Sequence, residues 1–240
     1  MRKVVIAGLA ALLSCGLSRA ADLTDTEQRW LRGIWPVIAA ARQDQLALDI
    51  VVQPQPAPGA SPLALAFVNG RCKLVFSMRG NDEAQATLDR IDPALLAPAL
   101  ELMAAHEIGH CRRHLDGSWR ALPAGYVATV PETLSPALWP AYREMQATRR
   151  EEAFADLTGL AWTWQRHPLQ YAKVHAWLLA ERSRDLIAGS HHDTLAWLGL
   201  ARPAAASALP APLDRPLALW AAGHFVHDQW SPRALEPVSP

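Results

Sequence analysis

The stretch "AHEIGHCRRH", residues 105–114, constrains the fold of this chain more than any other feature. His106 and His110 are four residues apart, so on an α-helix they project from nearly the same line. They continue an apolar stripe that contains Leu102 and Met103, which indicates that both imidazoles point inward. We therefore predict an interior helix that carries two polar rings on its buried face.

The same spacing is typical of a metal site. Two imidazoles one helical turn apart can bind one zinc ion, and Glu107 lies close enough to meet a water molecule without ligating the metal. The His-Glu-x-x-His motif alone is weak evidence, because a chain with nine histidines contains it by chance in roughly one or two cases per hundred. A helix that merely contains buried histidines is the structural alternative.

A third ligand is predicted in "RREEAFADLTG", residues 149–159. On a helix, Glu152 and Asp156 share a face with small residues such as Gly159, and apolar side chains lie opposite, so we expect burial on both faces. Two buried carboxylates are costly unless a positive partner meets them. A zinc ion with its histidines would be that partner, and Glu151, about a quarter-turn away, is the poorer candidate.

These two motifs together resemble a known family. His-Glu-x-x-His followed some forty residues later by Glu-x-x-Ala-Asp is similar to the gluzincin zinc peptidases, and most similar to the HtpX and CAAX-prenyl endopeptidase type. The matching segments are "AHEIGH" and "EAFAD", so the resemblance covers roughly residues 100–160. It implies a zincin-like metallopeptidase domain with one zinc ion per chain, which hydrolyses peptide bonds.

The resemblance also implies a role for each matching residue. His106, His110 and Glu152 would be the zinc ligands, and Glu107 would be the general base. Asp156 would orient a ligand histidine without touching the metal. The integral-membrane members of the family have transmembrane helices that this sequence does not predict, so the chain looks more like their exported, soluble relatives.

Two further segments are candidates for the site. "GSHHDTLAWL", residues 189–198, lies where the similar peptidases carry a His-x-x-Thr-like stretch, and we select His192 over His191 as a donor to the oxyanion of the tetrahedral intermediate. A capping loop with two solvated histidines is the alternative. "CKLVFSM", residues 72–78, is a predicted strand to whose edge an extended peptide could add. A purely structural hairpin is the alternative there.

The overall pattern predicts an α+β fold that is mainly helical, with a small β-hairpin or sheet beside the active-site helix. The hairpin turns at Asn69-Gly70, a dipeptide typical of type I′ turns. The predicted helices cover residues 24–50, from 92 or 98 to 115, 141–165, 169–187 and a short stretch near 217–230, with a long surface loop over 117–140.

The N-terminus predicts export. Residues 1–20 combine a short basic stretch, an apolar run and small residues, which is the pattern of a signal peptide cleaved after Ala20. The alternative is a lipoprotein with a lipid anchor at Cys15. Residues 21–240 would form a single domain, of which 201–240 is an Ala- and Pro-rich extension. Cys72 and Cys111 then remain, and either a disulfide or two free buried thiols is consistent with the sequence.

Composition narrows the function. The formal net charge is zero, which gives no basic surplus for nucleic-acid binding, and no later segment is apolar for long enough to span a membrane. The resemblance and the N-terminal pattern together imply an exported, periplasmic zinc endopeptidase that acts on peptides or unfolded proteins. The alternatives are a catalytically silent binding module and an envelope assembly factor with incidental peptidase activity.

Overall fold

The computed structural model describes residues 22–53, 59–128, 130–184, 186–203 and 215–227. The predicted signal peptide, including Cys15, and most of the predicted C-terminal extension lie outside these residues. The described part is an α+β fold dominated by helices, as the sequence predicts. None of its helices combines the length and the apolar character that crossing a membrane requires.

The elements follow one another in this order: α1 (Asp25–Gln43), β1 (Leu48–Val52), β2 (Leu63–Val68), β3 (Arg71–Phe76), α2 (Asp82–Asp89), α3 (Leu96–Leu115), α4 (Trp139–Arg166), α5 (Tyr171–Ser183), α6 (Leu195–Leu200) and α7 (Arg215–His227). Short 3-10 turns, Pro93–Leu95 and Pro136–Leu138, lead into α3 and α4. The predicted helices and the long loop after α3 are therefore present, with shifted ends.

The three strands form a sheet in the order β1-β3-β2, with β1 parallel and β2 antiparallel to β3. The predicted hairpin joins β2 to β3 through Asn69 and Gly70, whose φ angles of 53° and 72° fit the type I′ turn. The prediction that "CKLVFSM" offers a free edge is wrong. Its strand, β3, is central because it pairs with β1 on one side and with β2 on the other, so the edge strands of this sheet are β1 and β2.

The first predicted helix is also wrong at its end. α1 begins with a capping box between Thr24 and Glu27 and continues through Pro36, but it ends at Gln43 rather than near residue 50. Gln45 takes a left-handed conformation with φ 57°, and the chain then enters β1. The short apolar run of β1 is stabilised by pairing with β3, more than twenty residues away, which local periodicity does not report.

Helix α3 lies between two hydrophobic cores. Leu100, Ala104 and Ile108 pack into a core shared with α1, α2 and the sheet. Ala99 and Leu102 pack into a second core shared with α4, α5, α6 and α7. The two histidines of α3 are therefore held on a helix that is packed from both sides.

α3 and α4 approach each other closely at two glycines. A Cβ atom at position 109 would lie 3.1 Å from the Cα atom of Ala155, and one at position 159 would lie 2.8 Å from the carbonyl oxygen of Leu102. The small residues around the two acids of α4 permit this packing. The contact brings the histidine face of α3 against the carboxylate face of α4.

A disulfide joins the sheet to α3. Cys72 on β3 and Cys111 on α3 are bonded, with Cα atoms 5.6 Å apart, and both residues are fully buried. Of the two possibilities that the sequence leaves open, a disulfide or two free thiols, the structure has the disulfide. Because Cys111 follows His110 directly, the bond fixes the position of this part of α3 relative to the sheet.

The close approach of the helices predicts that two glycine-to-alanine changes affect the free energy of unfolding differently. Gly159→Ala should lower the free energy of unfolding by about 1–3 kcal/mol, because the added methyl group meets a backbone oxygen that cannot move aside. Gly199→Ala in α6, where a Cβ atom meets nothing within 4 Å, should be neutral or stabilise by up to about 1 kcal/mol. Urea unfolding followed by circular dichroism measures both values, and equal results would contradict the helix packing described here.

Candidate metal centre

Three side chains from α3 and α4 converge on one point. The Nε2 atoms of His106 and His110 are 3.1 Å apart, and Glu152 places one oxygen 3.5 Å from His106 Nε2 and the other 3.4 Å from His110 Nε2. The three residues can hold a metal ion, since each offers one ligand atom and these atoms lie within 4.8 Å of one another. They are the three residues that the sequence predicts as metal ligands, and the fold brings them together.

The spacing of these atoms suits a small tetrahedral ion. Two donors bound at the usual zinc distances of 2.0–2.2 Å lie about 3.4 Å apart when their angle is tetrahedral. The two Nε2 atoms are 3.1 Å apart, and each lies 3.4–3.5 Å from one of the two oxygens of Glu152, so the three side chains are close to the spacing that such an ion requires. Two imidazoles and one carboxylate are also a donor set that zinc prefers, so the residues present fit the ion.

Asp156 holds the first histidine in place. Its carboxylate accepts a hydrogen bond from His106 Nδ1 at 2.9 Å, which leaves Nε2 of that ring free to face the other two donors. The same carboxylate accepts two hydrogen bonds from Arg182 and one from Thr194. His110 is held differently, because its buried Nδ1 has no hydrogen-bond partner among the described residues.

The electrostatics favour charged carboxylates at Glu152 and Asp156 beside the ring of His106. Burial opposes ionisation of Glu152, but the hydrogen bond from His110 and the nearby charges outweigh it and hold the pKa of Glu152 at about 2. Burial acts on Asp156 in the same way, and the charge of Arg182 and the hydrogen bond from His106 hold its pKa well below the usual range. Burial lowers the pKa of His106, whereas the bond to Asp156 raises it, and the raising effect dominates.

Glu107 lies in the same cavity as the donor set. The cavity has a volume of about 660 Å³, and the three donors, Glu107, Asp156 and Arg182 are among its lining residues. Glu107 is half-buried, and burial raises the pKa of its carboxyl although the charges of the two histidines lower it. Glu107, which is not one of the three donors, therefore faces the same cavity as they do.

The two adjacent acids of α4 have different partners. Glu151 points away from the histidines and accepts two hydrogen bonds from Arg113 and one from the backbone N–H of Arg120. The Arg113–Glu151 pair is almost fully buried, with 5% and 1% of the side chains exposed. The expectation that Glu151 is the poorer ligand candidate agrees with this geometry.

His192 lies at the rim of the cavity. Its side chain is exposed and lines the cavity, whereas His191 is not among the lining residues. The next two residues, Asp193 and Thr194, are buried, with 2% and 0% exposed. The predicted choice of His192 over His191 thus matches their placement.

Sequence reasoning missed Arg182 and the part that Thr194 plays. Arg182, on α5, bonds Asp156 and lies 3.5 Å from Glu152, so its positive charge offsets the negative charges of one buried and one half-buried carboxylate. Its position on a separate helix, 26 residues beyond Asp156, gave no local signal. A search for a basic residue to match the two acids would have been the only guide.

No protein-family model, curated protein or solved structure shows a significant match to this chain. The chemistry of the site therefore has to be inferred from the residues and their geometry.

The contrast between Glu151 and Glu152 predicts two opposite variants. Glu152→Ala should lose most of the metal, expected at about one zinc ion per chain, while the protein stays folded. Glu151→Ala should keep the metal but lose about 3–5 kcal/mol of unfolding free energy, because Arg113 is left buried without its partner. Elemental analysis and urea unfolding test the pair, and equal metal contents would refute the assignment of Glu152.

Asp156 should control metal affinity without touching the metal. Asp156→Ala removes the acceptor that orients His106, and such a loss costs about 10- to 100-fold in affinity. Competition with a chromophoric zinc chelator measures the change, and circular dichroism checks that the variant is folded. Asp44→Ala, which removes an exposed partner of Arg112 on the same helix as the histidines, is the control and should leave the affinity unchanged.

Proposed function

We propose that this chain is an exported zinc-dependent endopeptidase of the gluzincin type, which acts on peptides or unfolded proteins. One observation carries the proposal: two histidines and a glutamate converge at separations of 3.1–3.5 Å, and a second glutamate, Glu107, faces the same cavity. A site that only stored a metal would need the first three residues and not the fourth.

His106, His110 and Glu152 would hold the zinc ion, and three protein ligands of this kind are the set that catalytic zinc sites use. When bound, the ion supplies Lewis acidity, which activates a water molecule and polarises the carbonyl of the scissile peptide bond. Asp156 keeps His106 in the tautomer whose Nε2 faces the ion. Arg182 keeps Asp156 charged, so this orientation persists over the physiological pH range.

Glu107 would move the proton. As general base it takes a proton from the attacking water, and it then delivers that proton to the nitrogen of the leaving amine. Its half-buried position in the cavity supports this role, because a carboxyl that is partly removed from water holds its proton more readily. His192 at the rim would donate a hydrogen bond to the developing oxyanion.

A peptide substrate would lie along β2. Within the described residues β2 is the edge strand on this side of the sheet, and Leu63, Ala64 and Leu65 line the cavity. An extended peptide can add to such an edge through main-chain hydrogen bonds, whatever its sequence. This mode of binding suits an enzyme that acts on unfolded segments.

Two observations support export. The first twenty residues have the pattern of a signal peptide. Cys72 and Cys111 form a disulfide, and structural disulfides persist in oxidising compartments such as the bacterial periplasm.

The role of Glu107 predicts a variant that binds metal without catalysis. Glu107→Gln should keep the zinc content of the wild type and lose hydrolysis of casein, because an amide cannot take the proton. Glu83→Gln, which changes another glutamate of the same cavity, is the matched control and should cleave casein at the wild-type rate. Both are compared with wild type before and after treatment with a chelator.

The outcomes separate the proposed peptidase from a silent binding module. Wild-type protein that binds zinc but shows no chelator-sensitive hydrolysis would favour the binding module. A Glu107→Gln protein that cleaves casein at the wild-type rate would show that Glu107 is not the base.

A further inference from the structure

The segment that carries His192 is fixed to α4 at two points. Thr194 donates a hydrogen bond from its hydroxyl to Asp156 Oδ2 at 2.7 Å. Asp193 is bound by Arg149, whose Nε donates to the Asp193 carbonyl oxygen at 2.5 Å and whose terminal nitrogen lies 2.8 Å from Asp193 Oδ2. Asp193 and Thr194, which make these contacts, follow His192 directly in the chain.

The segment is also closed on itself. Asp193 Oδ2 accepts a hydrogen bond from the backbone N–H of Gly189 at 2.8 Å, so residues 189–193 form a compact turn with one carboxylate at its base. The Arg149 guanidinium lies 5.7 Å from the ring centroid of Trp197, on α6. Arg149 therefore contacts both the turn and the helix that follows it.

We propose that Arg149 is a positioning residue that holds His192 at the rim of the metal cavity. Arg149 itself is not among the cavity-lining residues, whereas His192 is. The inference rests on the proposed function for its kinetic consequence, but the positioning of the segment can be measured without any activity.

The burial of Arg149 indicates that its ion pair with Asp193 serves to orient the segment rather than to stabilise the fold. Only 2% of its side chain and 2% of that of Asp193 are exposed, and a buried ion pair contributes little net stability compared with apolar residues of similar size. The pair instead fixes the orientation of Asp193. The planar guanidinium binds the backbone carbonyl and the carboxylate of one residue together, which fixes both the main chain and the side chain of Asp193.

A lysine at position 149 distinguishes the effect of the positive charge from the effect of the two directed contacts with Asp193. Arg149→Lys keeps the positive charge near Asp193, but a single ammonium on a flexible stem cannot reproduce the two directed contacts. Arg143→Lys is the matched control, because Arg143 lies on the exposed side of the same helix. Thr194→Val is a second comparison, since it removes the bond to Asp156 and should weaken metal affinity, whereas Arg149→Lys should not.

Amide hydrogen exchange of the zinc-loaded full-length protein is the first measurement. Exchange in residues 189–194 should become faster in Arg149→Lys, while exchange in α3 and α4 and the zinc content stay at wild-type values. Arg143→Lys should match the wild type throughout. Unchanged exchange in 189–194 in the Arg149→Lys protein would overturn the proposal, whether or not the protein is a peptidase.

A kinetic double-mutant cycle is the second measurement. Arg149→Lys should lower kcat by about 10- to 100-fold, as expected for a displaced group, with KM unchanged. His192→Ala should lower kcat by at least about 100-fold, and adding Arg149→Lys to it should cause no further loss. Effects that multiply would show that Arg149 acts other than through His192. A wild-type protein without chelator-sensitive hydrolysis would refute the proposed function, and the exchange result would still decide the positioning.

Discussion

The arrangement of the site depends on the hydrogen bonds that the carboxylate of Asp156 accepts. It accepts four hydrogen bonds, from His106 on α3, twice from Arg182 on α5, and from Thr194 just before α6. A fully buried carboxylate is stable only when its oxygens are satisfied. Satisfying this one fixes three separate segments around α4, and the direction in which Nε2 of His106 points results from the same interactions.

The parts of the site that the sequence predicts are those carried by helical periodicity. The four-residue spacing of the histidines and of Glu152 and Asp156 placed each pair on one face, and the helices bring those faces together. β1 was missed because a short strand is stabilised by its distant partner. Arg182 was missed for a related reason: its function is to balance charges on another helix, and no local pattern encodes that.

The neighbouring acids Glu151 and Glu152 show how one helix serves two environments. Consecutive residues on an α-helix point about 100° apart, so Glu152 faces the histidines while Glu151 faces Arg113. Between Arg149 and Thr163, α4 is buried around most of its circumference, which is typical of a helix packed in the interior. Its buried charged residues are matched individually by partners on other segments: Arg149 by Asp193, Glu151 by Arg113 and Asp156 by Arg182.

The Cys72–Cys111 bond has a consequence for how the protein responds to its surroundings. Reduction requires a thiolate to reach one of the two sulfur atoms, and neither cysteine is exposed to solvent. The first core, which contains both residues, would have to open before a reductant could attack. Fluctuations confined to the surface do not expose such a bond. The link next to His110 is therefore insensitive to changes in external thiols for as long as this core stays closed.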